Sequence, residues 1–369
     1  MKIWTAALVA LAVAMAGANA EAQTKRKSST PRPAAAAPPP PPPVLTAPPG
    51  VEPLQHAAQR YAIFQNDMSA LKSGSIKSAE DLDRTLEVAA AHNRDALMRG
   101  WIAYGALTAA QSPEFAKGVR DTAAHYGNAA FIRGLTLDPG YAQVLKGGPQ
   151  AAQLALASAR ADGERVYQLG AQVKEMAYGL QGQRWAMAVS PQQPARVAKM
   201  KSLAYNAGAR TLEPEYLPKL NVSVGSSAPS ANPTQFGGIA FWDALRASPT
   251  AAPVTIPAPL PPLRTNQDRV GAVNRMTTLA AIYILGATQE PTSQVDKLLA
   301  ENSTNNCLEI AQVQFYQCLS AARFRYENAF CVGEHALKDM GACLRDTAQV
   351  DGVGAATPVA SSLPASSTR

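Results

Sequence analysis

The sequence predicts an all-α protein: a multi-helix bundle with a C-terminal, disulfide-stapled helical hairpin, a disordered N-terminal Pro/Ala-rich tether and a disordered C-terminal tail. Three observations lead there. Alanine, the best helix former, occupies 72 of 369 positions, while β-branched residues are sparse, which argues against a sandwich or barrel. Apolar residues make up 47% of the chain, too many for a wholly disordered protein. All four cysteines fall between Cys307 and Cys343.

Residues 1–20 have the form of a secretory signal peptide: Lys2, an uncharged run from Trp4 to Ala16, and the small-x-small site Ala18-Asn19-Ala20. The run is too short to span a bilayer. Residues 21–50 form a tether with a basic head (Lys25, Arg26, Lys27, Arg32) and six consecutive prolines, Pro38 to Pro43. Such a segment cannot bury apolar surface and is expected as an extended spacer. Residues 347–369 are expected as a disordered tail. The net charge of +7 shrinks to +3 once these ends are set aside, and no basic stripe is interleaved with aromatics, so nucleic acid is not an expected partner.

Residues 51–208 read as a helical bundle. Pro53 marks a first helix start. Ser78, with Asp81 three residues on, reads as an N-cap with an acidic first turn, and Ser112-Pro113-Glu114 repeats the device. Asp138-Pro139 is a further start. Leu82, Leu86, Ala89, Leu97, Trp101 and Tyr104 recur at helical spacing. The longest helix is expected from Pro149 to about Val189, with a packing seam of Val166, Leu169, Val173, Met176 and Leu180. Gly163, Gly170, Gly179 and Gly182 lie in it, which suggests close backbone approach or kinks. Ser190-Pro191 ends it, and a shorter helix follows to Asn206.

Residues 209–264 hold ten of the chain's 29 prolines. With Phe241 and Trp242 adjacent, this segment is expected to wrap the body rather than link two separate lobes. Residues 265–346 are expected as a helical lobe. Its most apolar run, Met276 to Ala287, is too short and too interrupted by threonine to span a membrane, so no transmembrane segment is expected after signal cleavage.

The cysteines carry the most specific signal. An even, clustered set in an exported chain reads as two disulfides. Cys307 and Cys318 are separated by about three helical turns, as are Cys331 and Cys343, so neither pair can bond within a helix. In an antiparallel hairpin, contacting residues have a constant index sum. Cys307–Cys343 sums to 650 and Cys318–Cys331 to 649, whereas the crossed pairing gives 638 and 661. The pairing Cys307–Cys343 with Cys318–Cys331 is therefore expected, with a turn near residues 323–327. The layout resembles, in arrangement, the twin-cysteine helical hairpins of the mitochondrial intermembrane space; their spacings are shorter than the ten and eleven residues that intervene here. A zinc site would need short paired spacings, which are missing.

Catalytic signals are weak. His92 with Asp95, His125 with Asp121 and His335 with Asp339 stand at helical spacing, the arrangement of an ordinary surface pair as much as of an oriented base. Glu334 beside His335 adds a metal-ligand type without a metal-site motif. Ser69-Ala70-Leu71-Lys72 matches S-x-x-K, but its companion motifs are missing. Glu87, Glu114 and Glu175 are acids that a lysozyme-like enzyme could use, and nothing selects among them. No catalytic residue, cofactor or metal is assigned. The expected function is a non-enzymatic exported cell-envelope protein, periplasmic or secreted, acting as a helical scaffold or binding module. Its partner is expected to be a protein or an envelope component. The alternatives are a cell-wall-cleaving enzyme and a helical periplasmic chaperone or binder of hydrophobic ligands.

Overall fold

Helix starts follow the capping chemistry. In the computed structural model, α1 (Pro53–Ala70) begins with proline in its first turn, and the Glu52 carboxylate accepts from the Gln55 N–H. Ser78 caps α2 (Ala79–Ala90), Asn93 caps α3 (Arg94–Ala109) and Ser112 caps α4 (Pro113–Tyr126), each side chain accepting from a backbone N–H three residues on. Gly127, at φ +81°, turns the chain into α5 (Asn128–Leu137). A single turn, α6 (Tyr141–Val144), precedes α7 (Gly148–Gly179). Then come α8 (Gln193–Asn206), the short strand β1 (Leu263–Thr265), α9 (Val270–Ile284), α10 (Thr292–Leu299) and α11 (Asn302–Ala321). The C-terminal arm is α12 (Arg325–Cys331), a π-helical stretch over Val332–Asp339, α13 (Met340–Arg345) and β2 (Ala348–Val350).

The structure describes residues 52–71, 74–207, 224–225, 263–289 and 292–350, all within one compact unit. The expected signal peptide, the tether, Phe241, Trp242 and most of the proline-rich segment lie outside the described residues. Two residues of that segment are described: Gly225 donates its N–H to the Ala110 carbonyl at 3.1 Å, and Val224 packs against the core.

The core is built around α3. Trp101, Ile102, Tyr104 and Leu107 are at most 1% exposed and point to several sides, as expected of a helix surrounded by others. Two glycines make room for its neighbours. A Cβ on Gly100 would come within 2.8 Å of the Tyr61 amide of α1, and one on Gly105 would overlap the Met276 side chain of α9. Five residues apart, they face about 140° away from each other around the helix. α9, with Met276, Leu279 and Ile282 buried, is thus a core helix, and no helix among the described residues is long and apolar enough to cross a membrane. One continuous cluster joins Trp101 and Phe115 of the 51–208 region to Met276, Leu308 and Leu344 of the 265–346 region.

Three expectations need correction. The long helix stops at Gly179, about ten residues early, and continues only as a 3-10 turn over Leu180–Gly182. Space around Gly179 and Gly182 is open, so these glycines mark the helix end and make no close approach. The expected tail yields its first residues to the body: β2 pairs antiparallel with β1, Leu263 opposite Val350 and Thr265 opposite Ala348. Asp138-Pro139 does not start a regular helix; Asp138 instead accepts from the Gly140 N–H in the turn before α6.

Candidate functional site

Two disulfides clamp the C-terminal hairpin. Cys307 is bonded to Cys343 and Cys318 to Cys331, with Cα separations of 5.7 and 5.6 Å. This is the antiparallel pairing. Both bridges run from α11 to the returning arm. Glu301 caps α11, accepting from the Ser303 and Thr304 N–H groups. Its buried side carries Leu308, Ala311, Phe315 and Leu319.

The two arms do not match residue for residue. Eleven residues from Cys307 to Cys318 return a helix to within about 20° of the same face, but twelve from Cys331 to Cys343 leave the side chains about 120° apart in a regular α-helix. The π stretch over Val332–Asp339 lies between Cys331 and Cys343, and its i→i+5 turns take up the surplus residue. The same device serves a second contact. Gly163 and Gly170 of α7 face Gly341 and Gly333 of the arm, backbone against backbone. A Cβ on Gly163 would meet the Gly341 carbonyl at 2.7 Å; one on Gly170 would meet the Gly333 carbonyl at 2.6 Å. These glycines are seven residues apart on α7 and eight on the arm, so here too the arm carries one residue more. Close approach therefore explains Gly163 and Gly170.

The hairpin turns at Ala322–Phe324, at the start of the expected window and without glycine or proline. A distant loop supplies what a self-contained turn would lack. Ser190 donates its N–H to the Arg323 carbonyl at 2.8 Å, and the Ala188 and Ala186 carbonyls accept from the Arg325 and Tyr326 N–H groups. The Gln193 amide donates to the Ala322 carbonyl, and Asn328 donates to the Ser190 hydroxyl at 2.8 Å. Val189 and Phe324 form an isolated antiparallel bridge.

Charges close over the glycine seam. Glu334 lies 2.9 Å from Lys174 and 3.0 Å from Lys338. Burial works against its carboxylate, but hydrogen bonds from the two ammonium groups outweigh it and hold the pKa below the usual range. Arg345 stacks 4.1 Å over the Tyr167 ring and reaches Glu164 at 3.6 Å. On the opposite side of the hairpin, α11 presents Ile310 and Val313 to solvent, 58% and 44% exposed.

Of the histidine pairs, only His335–Asp339 forms as expected, at 2.7 Å. His92, in the loop between α2 and α3, lies 3.6 Å from Asp67 of α1 and edge-on to Phe64; Asp95 is engaged by Arg94 instead. Asp121 is paired with Lys117, and His125 stands edge-on to Tyr126. Ser69 of S-x-x-K is buried in a polar network that sequence spacing does not reveal. Its hydroxyl donates to the Gln65 carbonyl and accepts from Arg165, which also reaches the Gln65 side chain. Tyr61 donates to Asp162 at 3.0 Å in the same network, and burial, reinforced by the Asp162 charge, drives its phenol well above the ordinary range. Glu87 is paired with Lys199, while Glu114 and Glu175 are exposed on α4 and α7. Among the described residues, no three His, Cys, Asp or Glu side chains gather as a metal site.

A crevice lined by Phe64, His92, Phe315, His335 and Met340 encloses about 20 Å³, room for a water molecule rather than a substrate. Open grooves of about 310 and 250 Å³ flank α8. The first is lined by the Lys199–Glu87 pair and by Arg196, 3.9 Å from Asp83. The second is lined by Tyr316, whose phenol burial pushes up to about 12, and by Lys201, 5.5 Å over its ring. Compared with protein-family models, curated proteins and solved structures, the chain matches none.

Proposed function

We propose that this chain is a non-enzymatic, exported cell-envelope protein that works as a helical scaffold or binding module. The observation that carries the reading is the mounting of α11. The helix is fixed by one bridge near its start and one near its end, and its partner arm is locked onto α7 through the glycine contacts. A surface held this firmly loses little freedom on binding, which favours recognition. The signal-peptide pattern of residues 1–20 supports export, and two disulfides fit an oxidising compartment.

The test uses the full-length oxidised protein in two assays. Incubated with purified peptidoglycan, it is expected to release no fragments. Used as bait in native envelope extract, it is expected to retain a defined partner and to lose it after dithiothreitol treatment. Release of peptidoglycan fragments would replace this reading with the cell-wall-cleaving one.

A further inference from the structure

The exposed face of α11 has a layout that fits one occupant, a second copy of the same chain. Ser303, Asn306, Ile310, Val313, Gln317 and Ser320 follow one another at intervals of three and four residues, the spacing of a coiled-coil seam. Asn306, Ile310, Val313, Gln317 and Ser320 are exposed, and Ser303 is half-buried. None of the six carries a charge. On a body of net charge +3, an uncharged face is where two copies approach at least electrostatic cost.

The seam is also palindromic. The midpoint between Ile310 and Val313 is the midpoint of α11 itself, Asn302–Ala321. Laid antiparallel against a second α11 about a two-fold axis there, residues whose numbers sum to 623 meet. Ile310 then meets Val313 of the second copy, Asn306 meets Gln317, and Ser303 meets Ser320. Apolar faces apolar, amide faces amide and hydroxyl faces hydroxyl, as an isologous interface requires. Two charges flank this side: Glu309 falls opposite the neutral Gln314 and already holds Arg94 at 2.9 Å, and Arg269 donates to the Ser303 hydroxyl at the seam's end.

We propose that α11 is a self-association surface through which two copies pair antiparallel about the Ile310–Val313 midpoint. The proposal rests on the binding-module reading and names its partner. A single helix about 30 Å long buries less than the roughly 1,200–2,000 Å² of a standard interface, so the pairing is weak and concentration-dependent. The two staples lower its cost by fixing the helix beforehand.

Sedimentation velocity of the full-length oxidised protein, from low micromolar to near-millimolar concentration, tests this. The wild-type sedimentation coefficient is expected to rise toward that of a dimer. In Ile310→Lys/Val313→Lys, each lysine faces another lysine, and self-association should weaken at least about tenfold. In Ile310→Lys/Val313→Glu, each lysine faces a glutamate of the second copy, and association should return. Both positions are exposed, and unchanged circular dichroism would confirm that the variants fold. A wild-type protein that stays monomeric, or three proteins that associate alike, would overturn the proposal. So would wild-type protein that sediments with lipid vesicles but not with itself. If the monomer instead captures another envelope protein through this face, the self-pairing fails while the binding-module reading stands. If peptidoglycan is cleaved, that reading fails too.

Discussion

Around α3, large side chains fill the volume beside two space-giving glycines; where α7 meets the C-terminal arm, four glycines bring backbone against backbone. Trp101, Tyr61, Tyr104, Phe64 and Phe115 fill the first region and are at most 1% exposed. The C-terminal arm meets α7 through four glycines, and its other partner, α11, through two disulfides. The difference follows from what each segment has to bury. From Ala96 on, α3 is buried at every position but Arg99 and finds its register by filling volume. The hairpin is short and polar on its outer side, with Gln314, Gln317 and Arg323 exposed, so side-chain burial alone specifies its register weakly. Covalent staples and backbone contacts, which tolerate no slippage, replace it.

The largest break should come from the first region. Trp101→Ala empties a side chain that is 1% exposed and is expected to cost about 3–5 kcal/mol, read as a drop in melting midpoint in both oxidised and reduced protein. A similar loss on the stapled side needs a covalent change. Replacing Cys318 and Cys331 together by alanine should cost about 2–4 kcal/mol, since that bridge closes a 13-residue separation. Dithiothreitol should lower the midpoint of the wild type by more than that of the double variant.

Glycine substitutions sharpen the contrast. Gly170→Ala forces a methyl into the Gly333 carbonyl and is expected to cost about 1–3 kcal/mol. Gly134→Ala, in α5 with open space around it, should instead stabilise by about 0.4–1 kcal/mol in urea titration. Equal effects at the two sites would mean that α7 and the arm are not in backbone contact. The smallest effect concerns Glu334. Because its folded pKa is depressed, its contribution is present above the usual carboxylate range and is lost as pH falls through the folded value. Glu334→Gln should therefore be less stable than wild type at neutral pH, by a few tenths of a kcal/mol, and indistinguishable from it in strong acid.

Local chemistry was legible in the sequence. Ser78 and Ser112 announced their helices because a cap is a contact over three residues. The disulfide register was legible because an antiparallel pair obeys simple arithmetic. Contacts with remote partners were not. Asp67 is separated from His92 by a loop and a helix, and the Ala186–Gln193 clamp on the hairpin turn joins segments more than 120 residues apart. Strands of three residues leave no alternation to read, so β1 and β2 were missed. The π stretch did leave a trace. The index sums 650 and 649 differ by one, and that surplus residue is what the stretch absorbs.

The arm between Cys331 and Cys343 carries one residue too many for a regular α-helix, and the π stretch takes it up. Thermal melting of two oxidised variants tests this most directly. Deleting His335 leaves eleven steps between the cysteines and seven between Gly333 and Gly341, matching α11 and α7. Inserting an alanine after His335 makes thirteen and nine. The deletion is expected to fold with both bridges formed and a midpoint within a few degrees of wild type, whereas the insertion should melt far lower. A deletion as damaging as the insertion would mean that the π stretch absorbs no surplus residue.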